Sequence, residues 1–172
     1  MDVMEAIKKR YSVRSYQDRA VETEKLDSIL EAARLAPSAS NRQEWRFVVV
    51  QDKGIRQRLM QAAKDQAFVG QAPVVIAACA KTDSHIMTCG QQCYPIGVAI
   101  AVEHMALKAT EEGLGTCWVG AFYEDKVKEI LGVPQDIRVV ALLVLGYPVK
   151  LRPSPKDRLR LKEIVMYERW SK

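Results

Sequence analysis

No window of this 172-residue chain is apolar for long enough to cross a bilayer. The opening Met1-Asp2-Val3-Met4-Glu5 lacks the basic-then-apolar order of a secretory signal. These absences predict a cytoplasmic protein with no membrane partner. Cysteine is scarce, at Cys79, Cys89, Cys93 and Cys117, and no two form a Cys-x-x-Cys pair, which argues against a disulfide framework and for reduced thiols. Low-complexity tracts and internal repeats are missing, and the length suits one core, so a single domain over residues 1–172 is expected. There is no P-loop, no three-glycine dinucleotide fingerprint, no Ser/His/Asp order and no pair of catalytic carboxylates. No side chain is therefore expected to act as nucleophile or general base.

The excess of positive charge lies at one end. The net charge is +5, and residues 149–172 hold eight basic residues (Lys150, Arg152, Lys156, Arg158, Arg160, Lys162, Arg169, Lys172) against three acidic ones, so the remainder is neutral. Pro148, Pro153 and Pro155 interrupt this basic end and no aromatic stacking set accompanies it, which argues against nucleic acid and for a small phosphorylated ligand or plain solvation.

Periodicity predicts a short helix from Met1 to about Lys9 and a second from Thr23, read as its N-cap, with Leu26, Ile29, Leu30 and Ala33 on one face and Pro37 as its stop. A strand at 46–51, a helix near 55–63 and a buried strand at 74–80 follow. The stretch 83–94 has no clear period. The helix expected at 96–112 is apolar almost all round and needs cover on most sides, part of it from a second subunit. A short helix at 124–131 and a central strand at 137–145 complete an α+β arrangement of a sheet covered by helices.

Polar groups cluster in four places. Arg10-Tyr11-Ser12-Val13-Arg14 puts two guanidinium forks and a hydroxyl after a helix, a donor set suited to phosphate. Lys156-Asp157-Arg158 offers a second cation pair far off in sequence. Ala36-Pro37-Ser38-Ala39-Ser40-Asn41-Arg42-Gln43-Glu44-Trp45 packs neutral donors and acceptors between helix and strand, suiting a flat heterocycle with mixed edges or an ordinary Ser/Asn turn. Gly113-Leu114-Gly115-Thr116-Cys117-Trp118-Val119-Gly120 permits close approach of backbone to a ligand, although a C-cap and tight turn account for Gly113. His85, Cys89 and Cys93 recur every fourth residue, as ligands on one helix face would, but a closed metal site wants a fourth ligand and Gly90 weakens a helix there, so no metal is expected.

Taken in order and spacing over nearly the whole chain, Arg10-x-Ser12-x-Arg14, Ala36-Pro37-Ser38-Ala39-Ser40-Asn41-x-Gln43-x-Trp45-x-Phe47, Gly113 to Phe122 and Gly146-Tyr147-Pro148 resemble the nitroreductase family of FMN-dependent oxidoreductases. The resemblance implies an α+β fold with a mixed, largely antiparallel sheet, and a homodimer whose C-terminal segment is exchanged onto the partner. It also implies FMN as cofactor, NADH or NADPH as donor, and a small-molecule electron acceptor such as a nitroaromatic or quinone, served in ping-pong fashion. By the same resemblance Arg10, Ser12, Lys156 and Arg158 hold the ribityl phosphate, with Tyr11 beside them where many relatives have arginine or histidine. Arg14 faces the pyrimidine edge of the flavin. Pro37, Ser38, Ala39, Ser40, Asn41 and Gln43 approach the ring from the other subunit, and the backbone of Trp118, Val119 and Gly120 faces flavin N5. Glu44 departs from the family pattern, occupying the place of a common proline and adding a charge to the loop. A non-catalytic FMN store, or specialised flavin or dehalogenase chemistry on the same fold, stand as alternatives.

Overall fold

The computed structural model describes residues 1–150 and 156–170, so Arg152, Pro153, Pro155 and Lys172 lie outside the described residues. In chain order the elements are α1 (Val3–Lys9), α2 (Thr23–Arg34), a 3-10 turn at Ala39–Asn41, β1 (Trp45–Val50), α3 (Lys53–Ala62), α4 (Ala67–Gln71), β2 (Val74–Lys81), α5 (Cys93–Glu111), β3 (Gly115–Val119), α6 (Glu124–Leu131), β4 (Ile137–Gly146) and α7 (Leu161–Ile164). The strands form one sheet in the order β1-β2-β4-β3, with every pair antiparallel.

β2 and β4 lie at the centre and bury residues on both faces, which is why they read as continuous apolar runs. The two-residue period sorts them. Val74, Ile76, Ala78 and Ala80 pack with Ala141, Leu143 and Leu145 under α2 and α5, while Val75, Ala77 and Cys79 pack with Leu142 and Val144 under α3, α4 and α6. A bulge opposite Ala78/Cys79 lets Val139 join Leu142 on the second face despite the odd spacing. Burial pushes the Cys79 thiol up to about 11, in keeping with a core residue.

α5 runs under one face, and its buried Val98, Ala101, Val102, Met105 and Ala109 meet α2 and the sheet. It opens at Cys93 rather than Ile96, because Pro95 falls in the first turn, where its missing N–H has no intrahelical partner to lose. One other expectation needs correction. Thr23 is not the N-cap of α2; Glu22 is, and its side chain makes no capping bond because it accepts from the Tyr147 hydroxyl at 2.6 Å and from Arg19 at 2.7 Å. His85, Cys89 and Cys93 do not share a helix. His85 and Cys89 lie in the loop before α5, closed by an Ile86–Gln92 bridge, and only Cys93 is helical.

The hydrogen bond from Tyr147, then Glu22's own backbone and Arg19, hold the Glu22 carboxyl down at about 2. A depressed carboxyl adds stability above its ordinary value near 4.5 and loses it as pH falls toward about 2. Glu22→Gln is therefore expected to flatten the acid limb of a stability-against-pH curve between those values. An unchanged limb would show that the Glu22–Tyr147 contact carries no titrating stabilisation.

Candidate functional site

The basic segment after α1 is laid beside the edge strand β3. Ser12 makes a parallel bridge to Thr116, and the Val13 N–H donates to the Thr116 carbonyl at 2.9 Å. This approach is possible because residue 115 is glycine: a Cβ there would stand 2.4 Å from Val13 Cγ2. Docked this way, Ser12 reaches the Cys117 thiol. Burial raises that thiol's pKa, opposed by Arg14, Ser12 and Arg10, so Ser12 lies in hydrogen-bonding reach and the two guanidinium groups in electrostatic reach of Cys117. Arg14 also lies over the Phe68 ring, 5.9 Å from its centroid.

The distant cation pair joins them. Lys156 Nζ donates to the Ile7 carbonyl in the last turn of α1, and Arg10 Nε lies 3.6 Å from Glu103 on α5. Burial and then repulsion from Arg10 and Arg158 push the Lys156 ammonium below its ordinary value. Tyr11 donates its hydroxyl to the Lys150 carbonyl at 2.7 Å, so it holds the chain just before the described tail. Arg10, Ser12, Arg14, Lys156 and Arg158 thus form one cationic cradle, and next to it Trp118 and Val119 end β3 and Gly120 follows. At Gly120 an added Cβ would meet nothing nearer than Trp118 Nε1 at 3.9 Å, so the backbone there is open to a ligand.

The polar loop is built differently. Ser40, Asn41 and Gln43 have φ of 50°, 54° and 50°, left-handed positions that cost about 1–3 kcal/mol each for residues with a Cβ. The loop is tied internally: Ser38 Oγ accepts the Gln43 N–H at 2.9 Å, and Gln43 Nε2 donates to the Asn41 carbonyl at 3.2 Å. Pro37 stands just past α2, which ends at Arg34, and Ala39 begins the 3-10 turn. Strain concentrated in a short loop whose Ser38, Ser40, Asn41 and Gln43 are neutral hydrogen-bonding residues marks a segment shaped for recognition.

This loop enters β1, one edge of the sheet, whereas the cradle flanks β3, the other edge. Three strand spacings of about 4.8 Å put roughly 14 Å between those edges. One chain brings the cradle and residues 118–120 together and leaves residues 37–43 apart. Sequence reasoning passed over the α3–α4 corner, where Gln66 donates to the Ala121 carbonyl at 3.1 Å and Phe68 meets Arg14. A five-residue helix is too short for periodicity to disclose it.

The sequence model of the Nitroreductase family matches residues 7–91 and 61–147. The chain belongs to the nitroreductase family. It is 31% identical over 175 residues to the Bacillus subtilis FMN reductase (NAD(P)H), covering 92% of this chain and 70% of that one. A Clostridium difficile 630 nitroreductase family protein superposes with a TM-score of 0.88 at 39% identity, covering 99% of this chain and 100% of that chain. The Vibrio harveyi NADPH:FMN oxidoreductase complexed with NAD+ superposes with a TM-score of 0.89 at 25% identity, covering 99% of this chain and 78% of that chain. The family membership and the α+β fold expected from the sequence agree with these matches. Among the described residues no helix is long and apolar enough to cross a membrane.

Proposed function

We propose that this chain is an FMN-dependent NAD(P)H oxidoreductase that works in the cytoplasm as a homodimer. The observation that carries the proposal is the cradle of Arg10, Ser12, Arg14, Lys156 and Arg158, drawn from the two ends of the sequence to one edge of the sheet. Its chemistry fits the flavin nucleotide. Guanidinium forks, an ammonium and a hydroxyl match a phosphate dianion, and the mutual repulsion felt at Lys156 is relieved by an anion. The backbone beyond β3 is left uncovered by Gly120, as a planar ring lying against it requires.

In this reading Arg10, Ser12, Lys156 and Arg158 bind the phosphate. Arg14, fixed over Phe68, favours negative charge at the ring edge it faces. Residues 118–120 present backbone to the reacting face. Bound FMN supplies hydride acceptance from NADH or NADPH and hydride donation to a nitroaromatic or quinone, one after the other in a ping-pong scheme. The chain's own part is to bind, orient and exclude water, and no thiol takes part.

The dimer follows from the division of the site between two edges. A second copy places its residues 37–43 over the cradle of the first, completing the pocket that one chain leaves open. Large apolar side chains also await cover: Val3, Met4 and Ile7 of α1, Ile96 of α5, and Leu161 and Trp170 of the tail are all exposed. The purified protein is expected to be yellow and dimeric in sedimentation, and stopped-flow mixing with NADH or NADPH should bleach the flavin band on a catalytic timescale. A colourless monomer that takes up no added FMN would overturn the proposal; a yellow protein that neither nucleotide reduces would be a carrier instead.

A further inference from the structure

Glu44 is the residue at which the loop departs from its family pattern, and it is buried, 8% exposed. Its Oε2 accepts the Cys93 S–H at 3.0 Å and lies 3.7 Å from Arg42 Nε. Arg42 in turn donates from Nη2 to Asp83 at 2.5 Å. Glu44 Oε1 and Arg42 Nε are both buried with no hydrogen-bond partner. The backbone carbonyl of Glu44 accepts the Lys81 N–H at 2.9 Å. The Glu44 carboxylate thus joins the exit of the polar loop to the start of α5, its backbone carbonyl ties the same residue to the end of β2, and the Asp83 loop is held through Arg42.

The start of α5 also supports the loop directly, for an added Cβ at Gly97 would touch Ser38 Cβ at 3.7 Å and the Trp45 ring at 3.8 Å. α5 has neither a side-chain N-cap nor an acidic residue in its first turn. Glu44 brings a negative charge to that end from outside the helix, where it is favoured by the helix dipole. An ion pair with two unused polar atoms is a costly way to fill a core. Packing alone does not account for it.

Resting on the flavin reading above, the geometry points to Glu44 as a positioning residue: acting through Cys93 and Arg42, it pins the left-handed loop 38–43 in the shape that it offers to the partner's flavin. Glu44 touches no reacting atom. Cys93 serves as a hydrogen-bond donor, and burial together with the Glu44 contact raises its thiol pKa, which makes it a poor nucleophile.

The test has one arm without flavin and one with it. In the flavin-free protein, hydrogen exchange is followed at the Asn41, Arg42 and Gln43 amides, which bond to the Ser38 carbonyl, the Ala39 carbonyl and Ser38 Oγ. Glu44→Ala is expected to speed exchange at these amides roughly tenfold or more, leaving the central amides of β2 and β4 unaffected. It should also raise the FMN dissociation constant about tenfold and change the visible circular dichroism of bound flavin. Cys93→Ser, which keeps a donor, should behave as wild type, and Cys93→Ala should fall between. If Glu44→Ala fails to fold, Glu44→Gln and Cys93→Ala supply the same comparison. Unchanged loop exchange, or equal acceleration across the whole sheet, overturns the positioning role. Wild-type protein that binds no FMN overturns the flavin reading alone, since the exchange arm still decides whether Glu44 pins the loop.

Discussion

Arg158→Ala and Lys156→Ala are each expected to weaken FMN binding about tenfold or more, because charge-assisted hydrogen bonds contribute roughly 1.5–3 kcal/mol and each 1.4 kcal/mol is a factor of ten. For Arg158→Ala the effect on the flavin-free protein should run the other way or vanish. Lys156 sits close enough to Arg10 and Arg158 to have its ammonium destabilised, so removing one cation relieves repulsion. For Arg158→Ala, then, the melting temperature without flavin should hold or rise while the increment produced by saturating FMN shrinks. Riboflavin, which lacks the phosphate, should bind wild type and variant alike. Flavin titrations that both variants leave unchanged would reduce the tail to a solvated basic extension.

Gly115→Ala is the second substitution with a large expected effect. The new methyl would meet Val13 Cγ2 at 2.4 Å and Val13 Cβ at 3.0 Å, and Val13 is itself buried. Overpacking of this kind costs roughly 1–3 kcal/mol, with about 2–4 °C of melting temperature per kcal/mol in a chain of this size. Relief requires Val13 to move off β3, which breaks its bond to the Thr116 carbonyl and carries Ser12 and Arg14 with it. FMN affinity should therefore fall along with stability. Val13→Ala in the same chain makes room for the methyl, so the double variant should recover part of both losses. A double variant no better than Gly115→Ala would show that the clash is absorbed elsewhere.

The elements most legible in the sequence were those whose ends carry local chemistry. α6 was read with its observed bounds because acidic residues open it and Gly132, at φ 66°, closes it in the left-handed cap that only glycine adopts freely. β2 and β4 were legible because central strands are apolar throughout. β3 is not legible as a strand: five residues between Gly113 and Gly120 offer no period, and its identity depends on pairing with β4 and on the close approach of Val13. The joining of Arg10 and Ser12 to Lys156 and Arg158 followed from resemblance alone, since nothing local to either segment specifies contact across the chain. Glu44 was legible only as an oddity. Its link to Cys93 spans 49 positions, so only the folded chain discloses it.

The two edges of the sheet have a consequence for how variation in this protein is inherited by its sites. In the proposed dimer a chain keeps its own cradle but lends its loop, so a defect at Arg10 or Arg158 acts in cis, silencing the pocket of the chain that carries it. A defect at Ser40 or Glu44 acts in trans, silencing the pocket of a sound neighbour. A subunit crippled at the cradle and one crippled at the loop are then complementary in one sense only: paired, they concentrate both defects in a single pocket and leave the other whole.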